Sequence, residues 1–245
     1  MSDPKLELRG IKKNFGNIVA LDGVDLTVNG NEVLGLAGDN GAGKSTLIKC
    51  IVGVHTPNDG EIRIDGDIVT ISDPDEAQKN GIATVYQDLA LIDELSVGAN
   101  VFLGRIPKKN SLMGLDIVDW EQMNERAESI LSNQLGINID PTQNVEFLSG
   151  GERQAVAIAR ALVTDPDILI MDEPTAALSK TSQENVMDLI ETLQDQGMTI
   201  ILISHSMEEL LDLTDRITVI HSGEDVNTVP TTDTTKEEIV SMMLG

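Results

Sequence analysis

An apolar run, Val33-Leu34-Gly35-Leu36-Ala37, leads straight into Gly38-Asp39-Asn40-Gly41-Ala42-Gly43-Lys44-Ser45-Thr46. The second stretch fits G-x-x-x-x-G-K-[ST], and a helix-patterned segment, Lys44 to Gly53, follows it. Strand, glycine-rich turn and helix in that order constrain the chain more than any other feature it has. The glycines let backbone N–H groups turn inward as an anion nest, and the helix start adds its positive dipole end. Lys44 is placed to reach the β- and γ-phosphates of a nucleotide, and Ser45 to ligate Mg²⁺. A phosphate-binding α/β core is therefore expected.

Such a loop needs a carboxylate from the end of another core strand. Ile168-Leu169-Ile170-Met171 reads as a buried strand, and Asp172-Glu173-Pro174 follows it. Asp172 is expected to hold Mg²⁺ through water. Glu173, one step further on, can polarise an attacking water as general base. A third segment, Leu148-Ser149-Gly150-Gly151-Glu152-Arg153-Gln154, opens a helix running to Val163. Its residues alone leave two readings open: a second anion site, or a helix well capped by Ser149.

Around these motifs the apolar pattern gives strands at Leu6 to Gly10, Ile18 to Val28, Ile82 to Tyr86, Thr199 to Ser204 and Ile217 to His221. Glu61 to Ile71 alternates about Asp65-Gly66 and predicts a hairpin. Between Asp88 and Asp165 only helices are expected, at Ser96 to Leu103, Trp120 to Gln134 and Gly151 to Val163. Further helices are expected from Thr181, from Met207 and over Lys236 to Leu244. The chain thus divides into an α/β core (1–87 and 166–245) and an all-helical insert (88–165).

Charge excludes several functions. Lys and Arg number 17 against 41 Asp and Glu, a formal charge of −24 over 245 residues. Nucleic-acid binding and electrostatic landing on anionic lipid both need a basic face. With 2% aromatic residues and strongly apolar strands, the composition is that of a folded protein adapted to a salt-loaded, halophilic cytoplasm. The one cysteine, Cys50, forbids an internal disulfide and reads as a buried small hydrophobe. No signal-like start and no run of about 18 apolar residues is found, so a soluble cytosolic protein is expected.

These elements, in this order and over nearly the whole chain, resemble the ATPase subunits of ABC transporters. Leu148 to Gln154 is similar to that family's signature sequence. The resemblance implies a P-loop NTPase core with an antiparallel β subdomain and an inserted helical subdomain. It implies ATP and Mg²⁺ as cofactors, Phe15 as the aromatic stacked on adenine, and Gln87 as a residue reaching Mg²⁺ and sensing a transmembrane partner. It implies His205 as the switch contacting the γ-phosphate. It further implies ATP sandwiched between one subunit's P-loop and the signature of another (Leu148, Ser149, Gly150, Gly151, Glu152, Gln154), hence a homodimer with two sites.

The stretches Gly38 to Thr46, Val85 to Arg105 and Asp172 to Ser179 resemble the monosaccharide branch of importers, of the ribose, galactose and xylose type. One P-loop and one signature match its one-domain members. That implies a peripheral subunit on the cytoplasmic membrane face, with permease subunits docking around Gln87 to Arg105. A sugar-binding protein would be an indirect partner. Asp39 replaces the usual Glu, and Ser179 stands where Asp is common. A soluble ABC-type ATPase uncoupled from transport is the alternative.

Overall fold

A computed structural model describes residues 4–109 and 117–244. The chain opens with two long antiparallel strands, β1 (Pro4–Phe15) and β2 (Ile18–Asn29), then the short β3 (Val33–Ala37), and α1 (Lys44–Ile51). The expected hairpin follows as β4 (Asp59–Ile64) and β5 (Asp67–Val69), then α2 (Pro74–Lys79) and β6 (Ile82–Val85). The middle of the chain holds α3 (Val97–Val101), β7 (Lys108–Lys109), β8 (Ile117–Val118), α4 (Trp120–Ser129) and α5 (Gly150–Leu162). Then come β9 (Ile168–Asp172), α6 (Lys180–Asp195), β10 (Thr199–Ile203), α7 (Met207–Leu213), β11 (Arg216–His221), β12 (Glu224–Pro230) and α8 (Lys236–Leu244).

Two larger sheets result. One is antiparallel, in the order β2-β1-β4-β5; the other runs β12-β11-β3-β10-β9-β6 and is parallel except at β12. Every residue of β3 and β10 is buried. That explains their unbroken apolar sequence, as expected of strands covered on both faces. The parallel register sets Ile203 opposite both Leu36 and Asp172. The carboxyl ends of β3, β9 and β10 are thereby level, and the loops leaving them emerge side by side.

The chain divides into two compact units. One comprises Met1–Tyr86, Pro166–Pro174 and Gln194–Gly245; the other comprises Gln87–Asp165 and Thr175–Leu193. The second unit therefore includes 175–193, a stretch that the sequence pattern grouped with the core. Within that unit Asn100 is fully buried. Its Oδ1 accepts from Ile92 N–H, and its Nδ2 donates to the carbonyls of Ile92 and Ser96. One buried amide thus organises the turn from 92 to 96.

Four details differ from expectation. The insert is not all helical, because β7 and β8 pair in a two-residue ribbon too short to leave a periodic signal. The end of the α4 segment is a π-helical turn (Ile130–Gln134), closed by Leu135 N–H donating to the Ile130 carbonyl. Strand β12 was not expected, since Glu224–Pro230 is largely polar and half-exposed, as an edge strand can be. Helix α2 was also missed; it is short, and its capping by Asp73 ahead of Pro74 is its clearest signal. Cys50 is buried as expected, and burial pushes its thiol up to about 11. Among the described residues, no helix is long and apolar enough to cross a membrane.

Candidate functional site

The loop between β3 and α1 wraps the mouth of a cleft of about 180 Å³, lined by residues 39–46, Ala20, Ile203, Glu173 and His205. Its backbone path depends on two glycines. A Cβ on Gly38 would lie 2.4 Å from the Ile220 carbonyl oxygen. Gly43 sits at φ 114°, and its Cβ would meet the Ala20 carbonyl oxygen at 2.9 Å. Larger residues would push the loop off its seat. From below, the turn after β11 braces it, with Gly223 N–H donating to the Ala42 carbonyl at 2.8 Å.

Lys44 is buried, and its Nζ donates to the carbonyls of Gly38 and Asp39. Burial lowers its pKa, opposed by Glu173, Asp39 and Asp172. The ammonium is thus fixed inside the loop, with little water around it. Asp172, at the end of β9, moves the other way: burial raises its pKa, Glu173 adds to this, and Lys44, Lys49 and His205 oppose it. A partly buried carboxylate beside another carboxylate favours a cation nearby. Asp172 and the exposed hydroxyl of Ser45 are hard oxygen donors of the kind Mg²⁺ takes. Among the described residues no group of three or more His, Cys, Asp or Glu could hold a metal. An ion here would therefore depend on hydroxyl, amide and ligand oxygens as well as Asp172.

Glu173 has φ 52°, an unusual conformation for a non-glycine residue. Its N–H donates to the Ile203 carbonyl at 2.9 Å, which holds that bend against β10. The side chain meets His205 Nε2 at 2.7 Å. His205 stands on its own scaffold: buried Ser204 donates to Glu209 Oε2 at 2.7 Å and accepts from Ser206 N–H at 3.0 Å. A carboxylate, an imidazole and a buried ammonium so converge on one cleft beside a nest of backbone donors. That set can bind a polyphosphate and activate a water against it.

Phe15 is 43% exposed at the end of β1, so it is not a core residue; the chain turns there into β2, which brings Ala20 to the cleft. Gln87 is exposed at the start of the second unit. In that unit the signature-like residues gather at the start of α5. Ser149 is the cap; its N–H and hydroxyl both donate to Glu152 Oε2, at 2.8 and 2.7 Å. Leu148 and Gly151 are buried, Gly150 packs against Leu178, and Gln154 is only 3% exposed, with its Nε2 unpartnered. Ser179 accepts from Ser182 N–H and so caps α6, a task Asp would also perform. Ala20, Ile203 and Gly223 were missed in the sequence. Only the Ser222-Gly223 turn signal could have pointed to the last of them.

Residues 21–176 match the family described as ABC transporter. The ribose import ATP-binding protein RbsA 1 of Agrobacterium fabrum is 43% identical over 242 residues, covering 99% of this chain and 46% of that protein. A putative ribose/galactose/methyl galactoside import ATP-binding protein of Burkholderia cenocepacia is 40% identical over 245 residues, 100% of this chain and 46% of that one. The chain spans about half the length of these relatives. Among solved structures, the ADP conformation of MJ1267, an ATP-binding cassette of an ABC transporter, superposes with a TM-score of 0.86 at 27% identity, covering all of both chains. A nucleotide-free ATP-binding cassette gives 0.82 at 30% identity, over 99% of this chain and 96% of that one. The fold is that of the ABC ATPase cassette, and the chain belongs to the ABC transporter family.

Proposed function

We propose that this chain is the ATP-hydrolysing motor of an importer for a sugar, a monosaccharide in the finer reading, acting on a separate membrane permease. The observation that carries the hydrolytic half is the Glu173–His205 contact at 2.7 Å in the cleft lined by the phosphate loop. The import half is supported by relatives named for ribose and galactose import that match nearly all of this chain.

In this reading the backbone N–H groups of 38–46 and the Lys44 ammonium bind the β- and γ-phosphates. Ser45 and Asp172 would hold Mg²⁺, which would neutralise phosphate charge. Phe15 stacks on the adenine. Glu173 takes the proton of the attacking water, and His205 holds the Glu173 carboxylate while facing the γ-phosphate. The start of α5, from Leu148 to Gln154, completes the site of a second ATPase subunit, so two subunits share two ATPs. Ser149 and Gly150 do so directly, whereas the buried Gln154 acts by supporting the helix. The permease docks on the 87–105 segment, at the cytoplasmic face of the membrane.

The test is Glu173→Gln. ATP binding should persist while turnover falls by about 10²- to 10⁴-fold. Captured with Mg-ATP from detergent-solubilised membranes, the same variant should carry a polytopic permease crosslinked within 87–105. Hydrolysis near the parent rate removes Glu173 as base; soluble partners alone, with no membrane protein, favour the uncoupled ATPase.

A further inference from the structure

Phe15 is exposed, yet its ring has two close neighbours. The His55 ring meets it edge-on, with centroids 5.1 Å apart and planes at 72°. Lys13 Nζ stands 5.3 Å from the Phe15 centroid. Neither neighbour is loose. Lys13 Nζ donates to the Thr56 carbonyl at 2.7 Å, and Asn14 N–H donates to Asn58 Oδ1 at 2.8 Å. Asn58 N–H returns a bond to the Lys12 carbonyl at 2.7 Å. The segment 55–58 is thus laced to the end of β1. It is also tied to α1, because His55 N–H donates to the Lys49 carbonyl at 2.9 Å. Since α1 starts inside the phosphate loop, the aromatic ring and the phosphate nest hang from one short helix.

We propose that His55 is a positioning residue for the nucleotide's base, fixing the plane that Phe15 presents for stacking. The proposal rests on Phe15 being the base platform. A ring oriented in advance loses less side-chain freedom when a base lands on it, and an edge-to-face partner supplies that orientation without covering both faces. Removing His55 should weaken what the base contributes and leave the grip on the phosphates untouched.

Calorimetric titration of the full chain with Mg-ATP and with inorganic tripolyphosphate separates the two contributions. His55→Ala should weaken ATP binding by about 2- to 10-fold, the range of an aromatic edge contact, and leave tripolyphosphate binding unchanged. His55→Phe should restore the ATP affinity. An equal loss for both ligands would make His55 a mere loop support and overturn the proposal. So would a His55→Ala chain with parental ATP affinity while Phe15→Ala is weakened. If Phe15→Ala itself keeps full ATP affinity, the platform reading fails, and the proposal with it.

Discussion

Two helix starts in this molecule face opposite fates. Helix α1 begins after Gly43 in a left-handed conformation, with no side-chain cap and no acidic residue in its first turn. Helix α5 begins after Ser149 with a complete capping box, and Glu152 supplies its own carboxylate to that end. Every helix start has N–H groups in need of acceptors. At α1 the sequence leaves them unclaimed by side chains and aims a buried lysine at the same spot; at α5 the capping box pairs the Ser149 and Glu152 N–H groups with each other's side chains. The first is a site made to receive an anion. The second is stable alone, and a phosphate arriving there has to displace Glu152 from Ser149. The grip on nucleotide should therefore reside in α1, and α5 should matter for turnover.

The largest effects should separate the two helices. Lys44→Ala removes a charged donor from the phosphates and should weaken Mg-ATP binding by about 10- to 100-fold, read by equilibrium titration. Ser149→Ala should leave that affinity unchanged and lower the rate of hydrolysis. Equal loss of affinity in both variants would erase the distinction. A smaller effect sharpens the first site. Because burial raises the pKa of Asp172, the folded state holds that proton more tightly than the unfolded chain does. The contribution of Asp172 to stability therefore falls as pH rises through the carboxylate range, and its ionised form remains a cost at neutral pH. Asp172→Asn should melt higher than the parent at neutral pH without Mg²⁺, with the gap closing as the pH is lowered. Mg-ATP should then stabilise the parent more than the variant. A variant melting lower than the parent would show that Asp172 is paired rather than stranded.

The smallest and most diffuse effect concerns both regions at once. A formal charge of −24 repels itself unless screened, and the Debye length grows from about 3 Å at ~1 M salt to about 10 Å at ~0.1 M. Melting temperature and subunit association should both fall as KCl is diluted. Unchanged melting in dilute buffer would contradict the reading of this acidic composition as salt adaptation.

What was legible in the sequence follows the same division. Strands β3, β9 and β10 announce themselves because burial on both faces demands continuous apolar residues, and the loops at their ends carry Lys44, Glu173 and His205. Edge strand β12 and the β7–β8 ribbon were invisible, since they bury too little to impose a pattern. Legible residues did not disclose everything about themselves. Glu152 reads as part of a signature, yet only the fold reveals that it occupies Ser149; Gln154 belongs to the same motif and is buried. Contacts made by tertiary approach, such as Gly223 beneath Ala42, have no local spacing to betray them.

Mixing two defective chains tests the central claim most directly: that α1 of one chain and α5 of another make one working site. Lys44→Ala and Ser149→Ala should each be impaired alone. In a mixed dimer, one site combines an intact Lys44 with an intact Ser149, while the other carries both defects. Each mixed dimer should therefore run at about half of the parent rate, and an equimolar mixture, in which random pairing makes about half of the dimers mixed, should regain about a quarter of it. A rate equal to the average of the two separate variants would contradict the account, since each chain would then be hydrolysing ATP on its own.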